Sequence, residues 1–263
     1  MVGIERSLFG VLRERRIFNA EQKLLTSREI RPRFNELVSL VSCQHPVELG
    51  PNCIVSRPMT TACVDLRPSI DEVFKHMNAT NRNMVRQGQK LDADLEIVRN
   101  EDRARRDFLA LSASLQEHKG IRRAAKFERT MNTYRQIADV WTIYLRGLPY
   151  CSHMVLPDLQ CRRAVLAYSA SRRFEGDEER KLCGVLNRYL TWKELEHYKR
   201  EGHEWYDFGG LDDPHDAPNT ASRFKLSFGS RVQDEYRYVI AGAPRLVSLL
   251  LRGWEKVSGH RVP

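Results

Sequence analysis

The 263-residue sequence predicts an α/β fold, a mixed sheet flanked by helices, and three observations carry that reading. From Thr60 onward, stretches with apolar residues at helical spacing alternate with short stretches of period two. Residues 151–156 and 161–171 are both apolar and are separated by a brief turn at Pro157 and Asp158, which makes them antiparallel neighbours. Helices intervene between the other strands, so the sheet combines both strand directions.

Taken in order, residues 27–41 show helical spacing through Ile30, Phe34, Leu37 and Val41, and residues 45–58 are broken by Pro46, Gly50, Pro51 and Pro58. Residues 1–59 are therefore expected to form an N-terminal helical extension and a loop, and residues 60–263 a single domain. That domain opens with a β-branched, apolar strand at 60–66. Ser69 and Glu72 follow with the Ser-x-x-Glu spacing of a capping box, which predicts a helix through Val73, Phe74 and Met77. Residues 81–90 set Arg82, Arg86 and Lys90 at helical spacing, and residues 94–99 alternate as a half-buried strand does. Helical pattern returns over 103–117 and 130–139, and 140–146 alternates through Trp141, Ile143 and Leu145 before Gly147 and Pro149. Beyond the antiparallel pair, 181–200 reads as a helix, with Thr191 and Glu194 offering a second capping box inside it and Gly202 a stop. Residues 205–208 form a short strand, 212–219 a polar loop, 224–228 and 235–240 two further strands, and 245–257 an amphipathic helix.

Composition narrows the function. Forty-three Lys and Arg against 34 Asp and Glu leave a formal charge of +9, which favours an anionic partner: a phosphorylated metabolite, a coenzyme, RNA or a membrane surface. The apolar run at 247–251 is far short of a membrane span, and charges among the first twenty residues interrupt any signal-peptide core. Six cysteines without a dense framework suit buried thiols in a reducing compartment, so the expected location is the cytoplasm. Cys43, Cys53 and Cys63 lack the paired spacing of a zinc site, and no metal is expected. No phosphate-binding glycine loop, dinucleotide fingerprint or nucleophile elbow is present.

The chemistry-bearing residues concentrate in Trp205-Tyr-Asp-Phe-Gly-Gly-Leu211 and Arg223-Phe-Lys-Leu-Ser-Phe-Gly229. A strand that ends in Gly209 and Gly210 admits a ligand or another backbone closely, because no Cβ stands in the way. Read as a strand, 224–228 turns Lys225 and Ser227 away from Phe224, Leu226 and Phe228, so that one face is core and the other presents a cation. A tight turn with a surface lysine is the plainer reading. His153, on a strand near the sheet centre, is a candidate base or a satisfied core histidine. Tyr206, Tyr236 and Tyr238 are candidates for an acceptor cleft or for packing. Arg103, Arg105, Arg106, Arg122, Arg123 and Lys126 form a basic region, either a solvated face or a hold for an anionic ligand.

Residues 190–202, the Tyr-Asp-Phe-Gly-Gly strand and the Phe-Lys-x-Ser-Phe-Gly segment together resemble the closing half of a FemAB-type acyltransferase module of the GNAT superfamily, and the strand and basic helix up to Lys90 resemble its opening. The similarity spans about residues 60–240. It implies a GNAT fold, a mixed twisted sheet flanked by helices, and transfer of an acyl group to a primary amine. It also implies that Lys225 stabilises charge at the reacting carbonyl beside Phe224, Gly209 and Gly210. Asp207 would orient or deprotonate the amine, or else be a buried carboxylate paired with an arginine. By the same resemblance Arg86, Tyr206 and Tyr238 fall among the substrate-binding candidates. Arg172, Arg173 and Gly176 stand where related enzymes hold the coenzyme A pyrophosphate, although Glu178 replaces a small residue there.

The donor implied is therefore acyl-CoA, and the acceptor a small amine such as an amino sugar or a nucleotide- or lipid-linked cell-envelope precursor. Members of the family usually carry two modules and this chain has length for one, which leaves aminoacyl-tRNA as the alternative donor. A non-catalytic, basic RNA-binding module on a degenerate version of the fold is the alternative from another class.

Overall fold

A computed structural model of the chain describes residues 2–8, 12–19, 31–44, 52–118, 132–172, 176–211, 220–245 and 247. They fall into two compact units, one built from residues 1–60 with 234–263 and the other from residues 61–233.

The second unit holds the helices and most of the predicted strands. Its sheet runs from the end of β4 (Cys53–Asp65) through β9 (Trp205–Gly210), β8 (Arg163–Ser171), β7 (Leu148–Asp158) and β6 (Asp139–Leu145) to β5 (Leu95–Arg99). All neighbours are antiparallel except β8 and β9, which are parallel. The sheet is mixed, as the sequence predicts. Side-chain alternation along β6 places helices on both faces. Trp141 donates to the Tyr198 hydroxyl at 3.0 Å, on the face covered by α4 (Asp177–Arg200). Thr142 and Tyr144 bond Ala104 and Asp107 on the other face, covered by α3 (Asp102–His118). Two shorter helices precede these, α1 (Ile70–His76) and α2 (Ala79–Lys90). The Ser69 and Glu72 capping box closes reciprocally at the start of α1, where it satisfies two amides that the helix itself leaves without partners.

α4 is a single helix through Thr191 and Glu194, so the second capping box is not formed. The Thr191 hydroxyl instead donates back to the Asn187 carbonyl at 3.0 Å, and Glu194 turns into the core. The expected strand at 224–228 is also corrected, because residues up to Leu226 belong to a short helix, α5 (Thr220–Leu226). Phe224 and Phe228 are four residues apart and meet edge to face at 5.2 Å, an i,i+4 relation that mimics alternation over so short a stretch.

The first unit overturns the expected helical extension. Residues 1–59 contain the hairpin β1 (Val2–Leu8) and β2 (Leu12–Phe18), the strand β3 (Glu36–Cys43) parallel to β2, and the start of β4. Strand β10 (Arg231–Ala241) pairs antiparallel with β3. The helical spacing at 27–41 misleads because β3 is buried on both faces: Val38 and Leu40 pack with Ile17 and Tyr238, and Leu37 packs with Val239 and Ala241. A strand buried on both sides loses its period-two signature. Phe34, which belongs to the helical spacing of the sequence, is 72% exposed. The predicted helix at 130–139 is cut to one turn at 132–134, because the chain bends at 135–137 and enters β6 at Asp139. The predicted loop at 212–219 and the larger part of the predicted helix at 245–257 lie outside the described residues, as do Arg122, Arg123 and Lys126.

No described helix is long and apolar enough to cross a membrane. The six cysteines form no disulfide.

Candidate functional site

The parallel ladder of β8 and β9 is recorded over Arg163–Val165 and Trp205–Asp207. Beyond its last rung a cleft of about 770 Å³ opens, with Leu166 and Tyr168 of β8, Phe208 of β9 and Phe224 of α5 on its apolar walls. Asn187 and Cys183 of α4 line it further. Its charged lining is one-sided: Arg172, Arg180, Arg188 and Lys225 face it, and no Asp or Glu stands among its described lining residues.

Lys225 is placed by the end of α5, and its ammonium group donates to the carbonyls of Gly209, at 3.4 Å, and Gly210. Gly209 has φ +75°, which turns the end of β9 so that both carbonyls meet that ammonium. Phe208, Phe224 and Phe228 form an aromatic cluster with ring centroids 5.1 to 6.1 Å apart, which fixes α5 against β9.

Asp207 sits beneath that turn with 0% exposure and does not line the cleft. It accepts from Arg163 Nη2 at 2.7 Å, from the Gly209 amide at 2.7 Å and from the Thr61 hydroxyl. Of its two expected roles, this is the carboxylate paired with an arginine, and through the Gly209 amide it holds the turn on which Lys225 rests.

His153 is fully buried, and both ring nitrogens are engaged: Nδ1 meets Glu194 Oε1 at 2.8 Å and Nε2 meets Asn187 Oδ1 at 2.7 Å. Tyr206, also buried, donates to the other Glu194 oxygen at 2.5 Å. Burial opposes protonation of His153, but the Glu194 carboxylate and the Asn187 bond outweigh it and hold its pKa above the ordinary histidine value. Both partner atoms are oxygens, which accept hydrogen bonds from ring N–H groups. His153 and Tyr206 therefore reach the cleft only through Asn187. Sequence reasoning singled out neither Asn187 nor the core role of Glu194, although polar residues at 187, 191 and 194 on one helical face were the available signal.

The remaining expected residues are dispersed. Arg172 lines the cleft, and Arg173 lies outside the described residues. Gly176 is the N-cap of α4, and a side chain there would collide with the Glu179 carboxylate. Arg86 is exposed and stacks on Phe74, outside the cleft lining. Tyr238 belongs to the first unit, where it is buried and stacked on Tyr236.

No family model and no curated protein matches the chain. Solved structures do. FemX is 12% identical, with a TM-score of 0.65 over 94% of this chain and 86% of that one. The C-terminal domain of a putative lysylphosphatidylglycerol synthetase from Agrobacterium fabrum is 12% identical, with a TM-score of 0.54 over 96% and 84%. A conserved protein of unknown function from Bacteroides thetaiotaomicron is 13% identical, with a TM-score of 0.50 over 78% and 69%. At such identities the likeness is one of fold, and the chain folds as FemX does, in agreement with the FemAB-type resemblance of its sequence.

Proposed function

We propose that the protein is an N-acyltransferase whose transfer site is the cleft beyond the β8–β9 ladder. The observation that carries this reading is the one-sided cleft itself, with four cations and no described carboxylate around apolar walls, and Lys225 fixed at its edge. An acyl donor on an anionic carrier matches that lining. The acceptor amine attacks the donor carbonyl carbon and a tetrahedral oxyanion forms. The Lys225 ammonium stabilises the oxyanion, and the carbon–oxygen or carbon–sulfur bond to the carrier then breaks, the amine proton leaving to the departing group or to water. The acceptor is a small primary amine, for which an amino sugar or cell-envelope precursor remains the family expectation.

One observation favours aminoacyl-tRNA over acyl-CoA as donor. The first turn of α4 carries Asp177, Glu178 and Glu179, so a pyrophosphate placed there would meet three carboxylates where a coenzyme A loop offers open amides and the positive end of a helix. Supplied with labelled aminoacyl-tRNA and a pool of primary amines, the protein is expected to transfer the label. RNase should abolish the transfer and rising salt should weaken it. Acyl-CoA should release no thiol. Lys225→Met should lower turnover about a hundredfold with an unchanged melting temperature. Turnover within a few-fold of the unmodified protein would overturn the role of Lys225, and thiol release would return the donor to acyl-CoA.

A further inference from the structure

Arg188 is a half-buried charge of the second unit. It projects from α4 into the cleft wall, half-buried, and makes no ion pair among the described residues. Its Nε donates to Asn81 Oδ1 at 2.6 Å, its Nη1 to the Gly184 carbonyl at 3.1 Å, and its guanidinium lies 5.1 Å over the Phe224 ring. These contacts set the plane of the group without neutralising it. Burial holds its pKa below the ordinary arginine value, the mark of a cation that has lost water without gaining an anion. Asn81, which orients it, is 1% exposed, and its side-chain Nδ2 meets no hydrogen-bond acceptor among the described residues. A partly dehydrated cation beside an unsatisfied amide donor is a costly arrangement for a protein to keep. The Nε edge of the fork is taken by Asn81, whereas the outer edge, Nη1 with Nη2, retains donors in the geometry that suits two oxygens of one anion.

We propose that Arg188 is the anchor for an oxyanion of the substrate, a carboxylate or a phosphate received end-on by its Nη1 and Nη2 groups, and that it thereby restricts the cleft to acidic substrates. This rests on the cleft being the substrate site, but it is tested by binding and so stands or falls separately from turnover. A substrate that presents its anion here lies beside Phe224, the residue before Lys225, and the anchor therefore positions the substrate relative to that lysine.

The probes are inorganic pyrophosphate and glutarate, titrated calorimetrically at fixed salt into the unmodified protein, Arg188→Gln, Arg188→Lys and Lys181→Gln. The unmodified protein should bind one probe, pyrophosphate identifying a phosphate ligand and glutarate a carboxylate. Arg188→Gln should weaken that binding about tenfold or more, and Arg188→Lys, which keeps the charge but loses the fork, nearly as much. Lys181→Gln, at an exposed residue outside the cleft lining and paired with Glu178, should change it at most about twofold. Without ligand, Arg188→Gln should melt no lower than the unmodified protein, since it removes a partly buried charge that has no ion-pair partner among the described residues. A purely structural arginine gives the opposite pattern, a lower melting temperature with unchanged binding, and that result overturns the proposal. So does the absence of binding by either probe, or equal losses in Lys181→Gln and Arg188→Gln. If Lys225→Met abolishes no activity while the Arg188 results hold, the transferase reading fails and the anion anchor remains.

Discussion

Asp207→Asn tests the idea that the proposed transfer site rests on a buried ion pair. The carboxylate and Arg163 both have 0% exposure, with the guanidinium 2.7 Å from Oδ2. The amide is nearly isosteric and its oxygen can still accept from Thr61 and from the Gly209 amide, so the local fold has a way to persist. Its Nδ2, however, would face Arg163 Nη2, donor against donor, and a fully buried guanidinium would lose its carboxylate. Removing one member of such a pair costs about 3–5 kcal/mol. The loss should appear in urea unfolding as a lower midpoint with an unchanged denaturant slope. The companion double variant Asp207→Leu with Arg163→Met removes both charges and should recover most of the loss, because replacing a buried pair by apolar groups of similar size is often neutral. A loss below about 1 kcal/mol for Asp207→Asn would refute the reasoning, as it would place the pair in contact with water. Turnover should also fall, because the Gly209 turn that carries Lys225 is tied to Oδ1.

Two further outcomes follow from named contacts. The pKa of His153 is raised in the fold above its reference value of 6.5, so the stability it contributes is fully present below about pH 6.5 and is lost as pH rises through the folded value. Melting temperatures of the unmodified protein and of His153→Gln should therefore converge between acidic and alkaline pH. A gap that stays constant with pH would mean that the ring is neutral throughout. Gly229 has φ +75°, and a Cβ there would lie 2.6 Å from the His76 carbonyl oxygen, so Gly229→Ala should destabilise by about 2 kcal/mol or more, read by chemical denaturation. An unaffected midpoint would show that the α1 C-terminus yields freely.

The second unit was legible because its signals are local. Ser69 and Glu72 cap α1 through their own spacing, Leu95 and Ile97 alternate along β5, and α4 runs across the predicted 181–200 with a first turn that the spacing did not mark. The first unit was not, because its strands are held by pairings between distant positions. Arg6 lies opposite Glu14 and Glu5 opposite Arg15 in the β1–β2 hairpin, so the stretches look like solvated charge until their register is known. The proposed transfer site was half legible. The resemblance pointed to Lys225 and Phe224 as candidates, but the strand assigned to them was wrong, since Phe224, Leu226 and Phe228 satisfy period two while the i,i+4 contact of the two phenylalanines is what forms. Arg188 carried no sequence mark at all. One arginine on a polar helix is ordinary until the absence of a carboxylate around it among the described residues is seen.

That absence gains meaning from how the same unit treats its other buried charges. Arg163 has Asp207, and His153 has Glu194. Glu194 leaves α4 on the side of the sheet core and is met there by a histidine and a tyrosine, so the fold supplied partners even where two titratable groups had to be ordered for one carboxylate. Arg188 leaves the same helix six residues earlier, toward the cleft, and receives an amide oxygen and a backbone carbonyl instead. Glu194 and His153 are fully buried and Arg188 is half-buried, so both sites carry a desolvation cost, and a carboxylate in place of Asn81 would neutralise the arginine at a distance of 2.6 Å. It would also occupy the charge that a substrate needs. A neutral orienting amide keeps the guanidinium fixed in plane and still attractive to an anion, which is the compromise expected of a binding residue and has no purpose in a structural one.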